Sequence, residues 1–196
     1  VFDRVLNELV SFNDTIFSLS EDLSLIDFIQ SLAWLAIQGN YCKPKTLSAG
    51  QDLVLKSSRH PMIEKMIGRE NFHSNDIELL AKKKQLLITG PNMGGKSTLM
   101  RQVAVLAIMH QIGSFLPAQS AEIPIFEQIF TRIGAYDDLA AGQSTFALEM
   151  QETAEILHHA DCHSLVIIDE VGRGTSTRDG YSIARAVLKE LCSSIN

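Results

Sequence analysis

Gly90-Pro91-Asn92-Met93-Gly94-Gly95-Lys96-Ser97 is the stretch on which the reading of this chain turns. It fits G-x-x-x-x-G-K-[ST], a pattern whose glycines let successive backbone N–H groups point at one phosphate. The pattern means something only in context, with a strand before it and a helix after it. Gln85-Leu86-Leu87-Ile88-Thr89 reads as that strand, and Thr98 to Ile112 reads as that helix, stopped by Gly113 and Pro117. A helix N-terminus there adds N–H donors and partial positive charge. Lys96 is then the candidate point charge for the terminal phosphates, and the Ser97 hydroxyl is a candidate ligand for Mg²⁺.

Working outward, Ser164-Leu165-Val166-Ile167-Ile168 is a continuous apolar run. It suits a strand buried on both faces of a parallel sheet. It delivers Asp169 and Glu170 at its C-terminal end, where open parallel sheets place their ligands. Asp169 is a candidate Mg²⁺ ligand. Glu170 is a candidate general base for an attacking water. Taken with a phosphate loop, this pair points to ATP hydrolysis rather than nucleotide storage.

The remaining elements alternate. Asp52 to Leu55 and Gln128 to Ile133 read as strands. Phe146 to His159 and Gly180 to Leu191 read as helices, the second with Asp179 as N-cap. This alternation predicts an α/β sheet. Residues 1–40 differ: apolar side chains from Phe12 to Ile37 recur at intervals of mostly three and four, with no proline before Pro44. The segment 39–44 breaks that pattern. The expected division is therefore a helical arm over residues 1–43 and an α/β domain over 44–196.

Composition narrows the classes. The chain has 196 residues, 45% apolar and 20% charged, with a formal net charge of −6. That profile is globular, and its acidity argues against nonspecific nucleic-acid binding by this segment alone. No stretch has the length and apolarity of a membrane span, and no signal peptide is visible. Cys42, Cys162 and Cys192 form no CxxC pair, so neither a disulfide framework nor a zinc site is expected.

The residues around these motifs resemble the MutS family of DNA mismatch-repair ATPases. Thr89 to Thr98 is similar to that family's phosphate loop, and the Asn92-Met93-Gly94-Gly95 core separates it from transporter loops. Asp169-Glu170-Val171-Gly172-Arg173-Gly174-Thr175-Ser176-Thr177-Arg178-Asp179-Gly180 resembles its signature stretch. Phe130 to Ala135, Gly142 to Phe146 and Arg59-His60-Pro61 also match.

The resemblance implies a P-loop ATPase fold of the ABC type, with a mainly parallel central sheet after the helical arm. The arm would be the end of the family's core and lever region. The domain would be incomplete at its C-terminus, stopping before the family's next strand. The implied cofactors are ATP and Mg²⁺. Gly90, Pro91, Asn92, Met93, Gly94, Gly95, Lys96, Ser97 and Thr98 would hold the phosphates. Asn92 would position the γ-phosphate or the water, and Ser97 and Asp169 would hold the metal.

Phe72, which on the residues alone reads as a core phenylalanine, would stack on adenine with His73 at the same edge of the base. Ser144, otherwise an N-cap for the helix at Phe146, would act in trans on the γ-phosphate bound by a second MutS-like subunit. Glu170 and Lys96 complete the catalytic set. The implied partners are mismatched double-stranded DNA, reached through regions outside these residues, and downstream MutL-like factors. The implied setting is the bacterial cytoplasm at the nucleoid, or a eukaryotic nucleus.

Three rivals stay open: a paralogue acting on branched or recombining DNA, a nucleotide-gated structural module with little hydrolysis, and an ABC-type transporter or chromosome-architecture ATPase.

Other residues are given no chemistry. Glu149, Glu152 and Glu155, at i, i+3 spacing, are expected to form a solvated face. His158 and His159 point about 100° apart on a helix and are expected at the surface. Asp137-Asp138 are read as a loop pair, and Lys82-Lys83-Lys84 as a basic turn. Trp34 is read as the core anchor of the arm.

Overall fold

Helix α1 spans Asn13–Gly39. The computed structural model describes residues 5, 10, 12–83, 85–91, 94–133, 145–172 and 174–194. No residue of α1 is buried. Its apolar side chains point to all sides, so no single face can be covered. Trp34 is 63% exposed and anchors no core. The helix ends at Asn40, whose left-handed φ of 47° suits an asparagine at that position. The exit is tied down where Cys42 and Leu116 exchange backbone hydrogen bonds at 2.8 and 2.9 Å.

The strands are β1 (Lys45–Leu47), β2 (Leu53–Ser58), β3 (Asn75–Leu79), β4 (Ser120–Pro124), β5 (Gln128–Arg132) and β6 (Ser164–Ile168). The helices after α1 are α2 (Pro61–Ile67), α3 (Lys96–Gln111), α4 (Thr145–His159) and α5 (Thr177–Ser194), with a 3-10 turn at Arg69–Asn71. The strands form two sheets. One is four-stranded in the order β1-β4-β2-β3, and the other pairs β5 with β6.

This architecture corrects the expected ABC-type fold with its mainly parallel central sheet. In the four-stranded sheet β2 runs antiparallel to both β3 and β4, and only β1–β4 is parallel. The parallel β5–β6 ladder is separate. Residues 85–89 join neither sheet; Leu86 and Leu87 are 52% and 76% exposed. The physical reason is that an apolar, β-prone run fixes neither its partner nor its direction of pairing. Strands β1, β3 and β4 are short and carry polar residues, so the sequence reading passed them over.

Helix α3 packs between the two sheets. One side meets Leu53, Leu55, Ile77 and Ile123 of the larger sheet through Leu106, with Leu99 and Val103 alongside. The other sets Ala104 and Ala107 against Leu165 and Ile167 of β6. The opposite face of β6, Val166 and Ile168, packs on Ile156 of α4 and on Val187 and Leu191 of α5. Strand β6 is thus covered on both faces, as its unbroken apolar run requires.

Candidate nucleotide and metal site

The site begins where α3 begins. Gly95 takes a φ of +83°, which lets the loop turn straight into the helix, and no described side chain caps that N-terminus. The Lys96 ammonium folds back over the loop, donating to the carbonyls of Gly90 and Pro91 at 2.8 Å each. The Gly94 N–H donates to the Pro91 carbonyl at 3.1 Å. Pro91, Gly94 and Gly95 are exposed and Ser97 and Thr98 are half-buried. Asn92 and Met93 lie outside the described residues, as does Ser144.

Across from the loop, β6 ends at Ile168 and Asp169 follows it. The Asp169 N–H donates to the carbonyl of Arg132, at the end of β5, at 2.7 Å. The Ser97 hydroxyl donates to the Asp169 carboxylate at 2.5 Å, although the two are 72 residues apart in sequence. A hydroxyl and a carboxylate so close are hard oxygen donors of the kind Mg²⁺ accepts, so the pair fits that ion.

Glu170 follows with a φ of +56°, in the left-handed region that non-glycine residues rarely occupy. Gly172 is also left-handed, at +87°, and lies against Gly180; a Cβ there would be 2.6 Å from the Gly180 Cα. Helix α5 then starts behind Ser176, whose hydroxyl accepts the Asp179 N–H at 3.2 Å and donates to its carboxylate at 2.7 Å. Ser176 is therefore the cap, and Asp179 is the acidic residue in the first turn that answers it.

Phe72 and His73 sit elsewhere. Phe72 follows the 3-10 turn and helps line a cavity of about 360 Å³ with Asn40, Ser57, Arg59, Arg69 and Ser74. Among the described residues, none from 90–98 lines that cavity. His73 is exposed. The structure thus brings Ser97, next to Lys96, against Asp169, the residue before Glu170, while Phe72 and His73 belong to the larger sheet's side.

One reading of side chains is corrected here. Glu149 is not on a solvated face, whereas the Glu152 side chain is 45% exposed. Glu149 is 4% exposed and accepts the Gly172 N–H at 2.5 Å. Glu152 pairs with Arg132 at 2.8 Å. Glu155 is exposed, along with His158 and His159. The signal was present in the sequence: Glu149, Thr153 and Ile156 share one helical face, and all three are buried.

None of Cys42, Cys162 and Cys192 is in a disulfide. Among the described residues, no helix is long and apolar enough to cross a membrane.

A glycine-rich turn at a helix N-terminus, with a serine–aspartate pair beside it, defines a candidate phosphate and metal site of the nucleotide-binding class. Comparison with known proteins gives the family. MutS domain V matches residues 86–196. The chain is 57% identical over 175 residues to the DNA mismatch repair protein MutS of Clostridium novyi (strain NT), covering 89% of this chain and 19% of that protein. It is 50% identical over 197 residues to the MutS of Clostridium tetani, covering 100% and 22%. For the MutS of Shouchella clausii the identity is 46% over 195 residues, again covering 100% and 22%. The chain belongs to the MutS family of DNA mismatch-repair proteins, and it spans about a fifth of the length of these curated relatives.

Proposed function

We propose that residues 44–196 bind and hydrolyse ATP with Mg²⁺, and that nucleotide state is coupled to the binding of mismatched DNA by the full-length protein. Residues 1–43 are then an arm leading from the lever region. The observation that carries this reading is the 2.5 Å contact of Ser97 with Asp169, which puts a hard oxygen pair beside the Lys96 loop.

In this reading the N–H groups of the loop and the first turn of α3 bind the phosphates of ATP. Gly90, Pro91, Asn92, Met93, Gly94, Gly95 and Thr98 shape that cradle. Lys96 exchanges its two carbonyl partners for phosphate oxygens. Ser97 and Asp169 would hold Mg²⁺, which would supply charge neutralisation to the phosphates. Glu170 takes a proton from a water whose oxygen bonds to the γ-phosphorus. The bond from that phosphorus to the bridging oxygen breaks, giving ADP and phosphate. Phe72 and His73 contact the base, which requires the cavity at Phe72 to lie beside the loop when nucleotide is bound. Ser144 completes the site of a second MutS-like subunit, and MutL-like factors respond to the ATP state.

The test is steady-state ATP hydrolysis by the full-length protein with matched, mismatched and branched DNA compared side by side. A rate changed selectively by the mismatch supports this reading. Equal response to matched and mismatched duplex, with a distinct response to branches, assigns the protein to recombination-type substrates. Absence of ATP turnover under all three conditions rejects hydrolysis and leaves a nucleotide-gated module.

A further inference from the structure

We propose that Glu149 is the positioning residue for Glu170; the role rests on the ATPase reading above. Burying a carboxylate is costly unless it gains donors. Glu149 is 4% exposed, and the donor it meets is the Gly172 N–H at 2.5 Å, two residues beyond Glu170. Hydrogen bonds to an ionised acceptor are roughly twice as strong as neutral ones. A second contact lies alongside: a Cβ on Gly174 would fall 2.7 Å from the Phe146 Cβ, one turn before Glu149 on α4. Helix α4 therefore grips the loop at residues 172 and 174.

The other side of Glu170 leads back to the same helix. Asp169 is held by the Arg132 carbonyl at 2.7 Å, and the Arg132 guanidinium pairs with Glu152 at 2.8 Å. Glu170 is thus strung between two anchors, one secured through Glu152 and one through Glu149. Its φ of +56° is a strained value for glutamate. Such a conformation persists only where the surroundings over-determine it. Among the described residues, the Glu149 carboxylate supplies such a constraint through the Gly172 N–H, and so helps set the direction in which Glu170 presents its own.

The experiment uses the full-length protein with Glu149→Met, which fills similar volume without an acceptor, and Glu149→Gln, which keeps one. Glu170→Ala and the double variant Glu149→Met/Glu170→Ala complete the set. Four quantities are read: hydrogen exchange at the Gly172 peptide without nucleotide, Tm, ATP affinity and kcat.

Glu149→Met is expected to speed Gly172 exchange and lower kcat, each by about 10-fold or more, with ATP affinity within about twofold. Glu149→Gln is expected to restore most of both. The double variant is expected to turn over like Glu170→Ala alone, because the one residue acts through the other. Unchanged kcat or unchanged Gly172 exchange in Glu149→Met overturns the proposal. So does a further additive loss in the double variant, or a parallel fall of Tm, affinity and kcat in both Met and Gln variants. If Glu170→Ala itself turns over at the wild-type rate, the base assignment falls, and Gly172 exchange still decides whether Glu149 holds the loop.

Discussion

The Ser97 hydroxyl and the Asp169 carboxylate meet at 2.5 Å across 72 residues of sequence. Neither residue is adjacent to the other's element in the chain. The contact exists because α3 packs on β6 through Ala104, Ala107, Leu165 and Ile167. A helix and a strand locked in that way bring the start of one to the end of the other. If the pair holds Mg²⁺, Ser97→Ala and Asp169→Asn should each reduce the Mg²⁺-dependent gain in ATP affinity by about 10-fold or more. ATP titration with and without Mg²⁺ checks this. Binding without Mg²⁺ should change little.

The crossing of Gly172 and Gly180 should tolerate no side chain. In Gly172→Ala a Cβ would sit 2.6 Å from backbone and the φ would remain +87°. Destabilisation of about 2 kcal/mol or more is expected from strain and clash together. Gly50→Ala is the control, with a φ of +78° and nothing within 4 Å of the added atom. It should cost only the conformational penalty, about 1 kcal/mol. Urea denaturation of the two variants measures the difference.

Arg59 and Glu64 form an ion pair at 2.8 Å with both side chains about 10% exposed or less. Removing one partner strands a buried charge, so Glu64→Ala should destabilise the protein by about 3–5 kcal/mol. Lys45–Glu122, at 3.0 Å with side chains 65% and 47% exposed, is the contrast. Glu122→Ala should cost about 1 kcal/mol or less, and that loss should shrink in high salt. Chemical denaturation at two salt concentrations separates them.

Acid should weaken the fold through two histidines. Burial pushes His110 below the ordinary value, and burial together with the Arg101 charge does the same to His60, against a smaller opposing backbone hydrogen bond. Their unfolded pKa is about 6.5. Below it the unfolded chain binds protons that the folded one refuses, so stability present above about pH 6.5 is lost as the pH falls through the depressed folded values. Among the described residues, neither ring nitrogen of His110 has a hydrogen-bond partner. His110→Leu should therefore flatten the decline. Denaturation midpoints at pH 7.5, 6.5 and 5.5 in both proteins test the slope.

How much of this was legible in the sequence depended on the kind of signal. The apolar run 164–168 and the helices around it could be read because burial on both faces leaves a compositional trace. Helix α3 could be read from its periodicity and its glycine stop. The pairing of strands could not: residues 85–89 have the composition of a buried strand, yet they lie outside both sheets. Short polar strands such as Asn75–Leu79 carry no comparable pattern, and only their ladder partners define them.

At the site, the pattern around Lys96 and Ser97 and the two acids after β6 singled out residues of which the structure brings Ser97 and Asp169 together. Glu149 was hidden because a glutamate on a helix normally faces water. The face it shares with Thr153 and Ile156 was the local trace of its burial; its partner, a backbone N–H two residues past Glu170, is a tertiary relationship that the chain's local pattern does not carry.

The central claim is that Glu170 activates water for a nucleotide held by Lys96, Ser97 and Asp169. The most direct measurement is a single-turnover assay of ATP by full-length wild-type, Lys96→Ala and Glu170→Ala proteins, with ATP binding measured in parallel. The account predicts that Lys96→Ala loses ATP binding. Glu170→Ala should bind ATP with near wild-type affinity and hydrolyse it slower by about 10²-fold or more. Wild-type hydrolysis by Glu170→Ala, or undiminished ATP binding by Lys96→Ala, would contradict it.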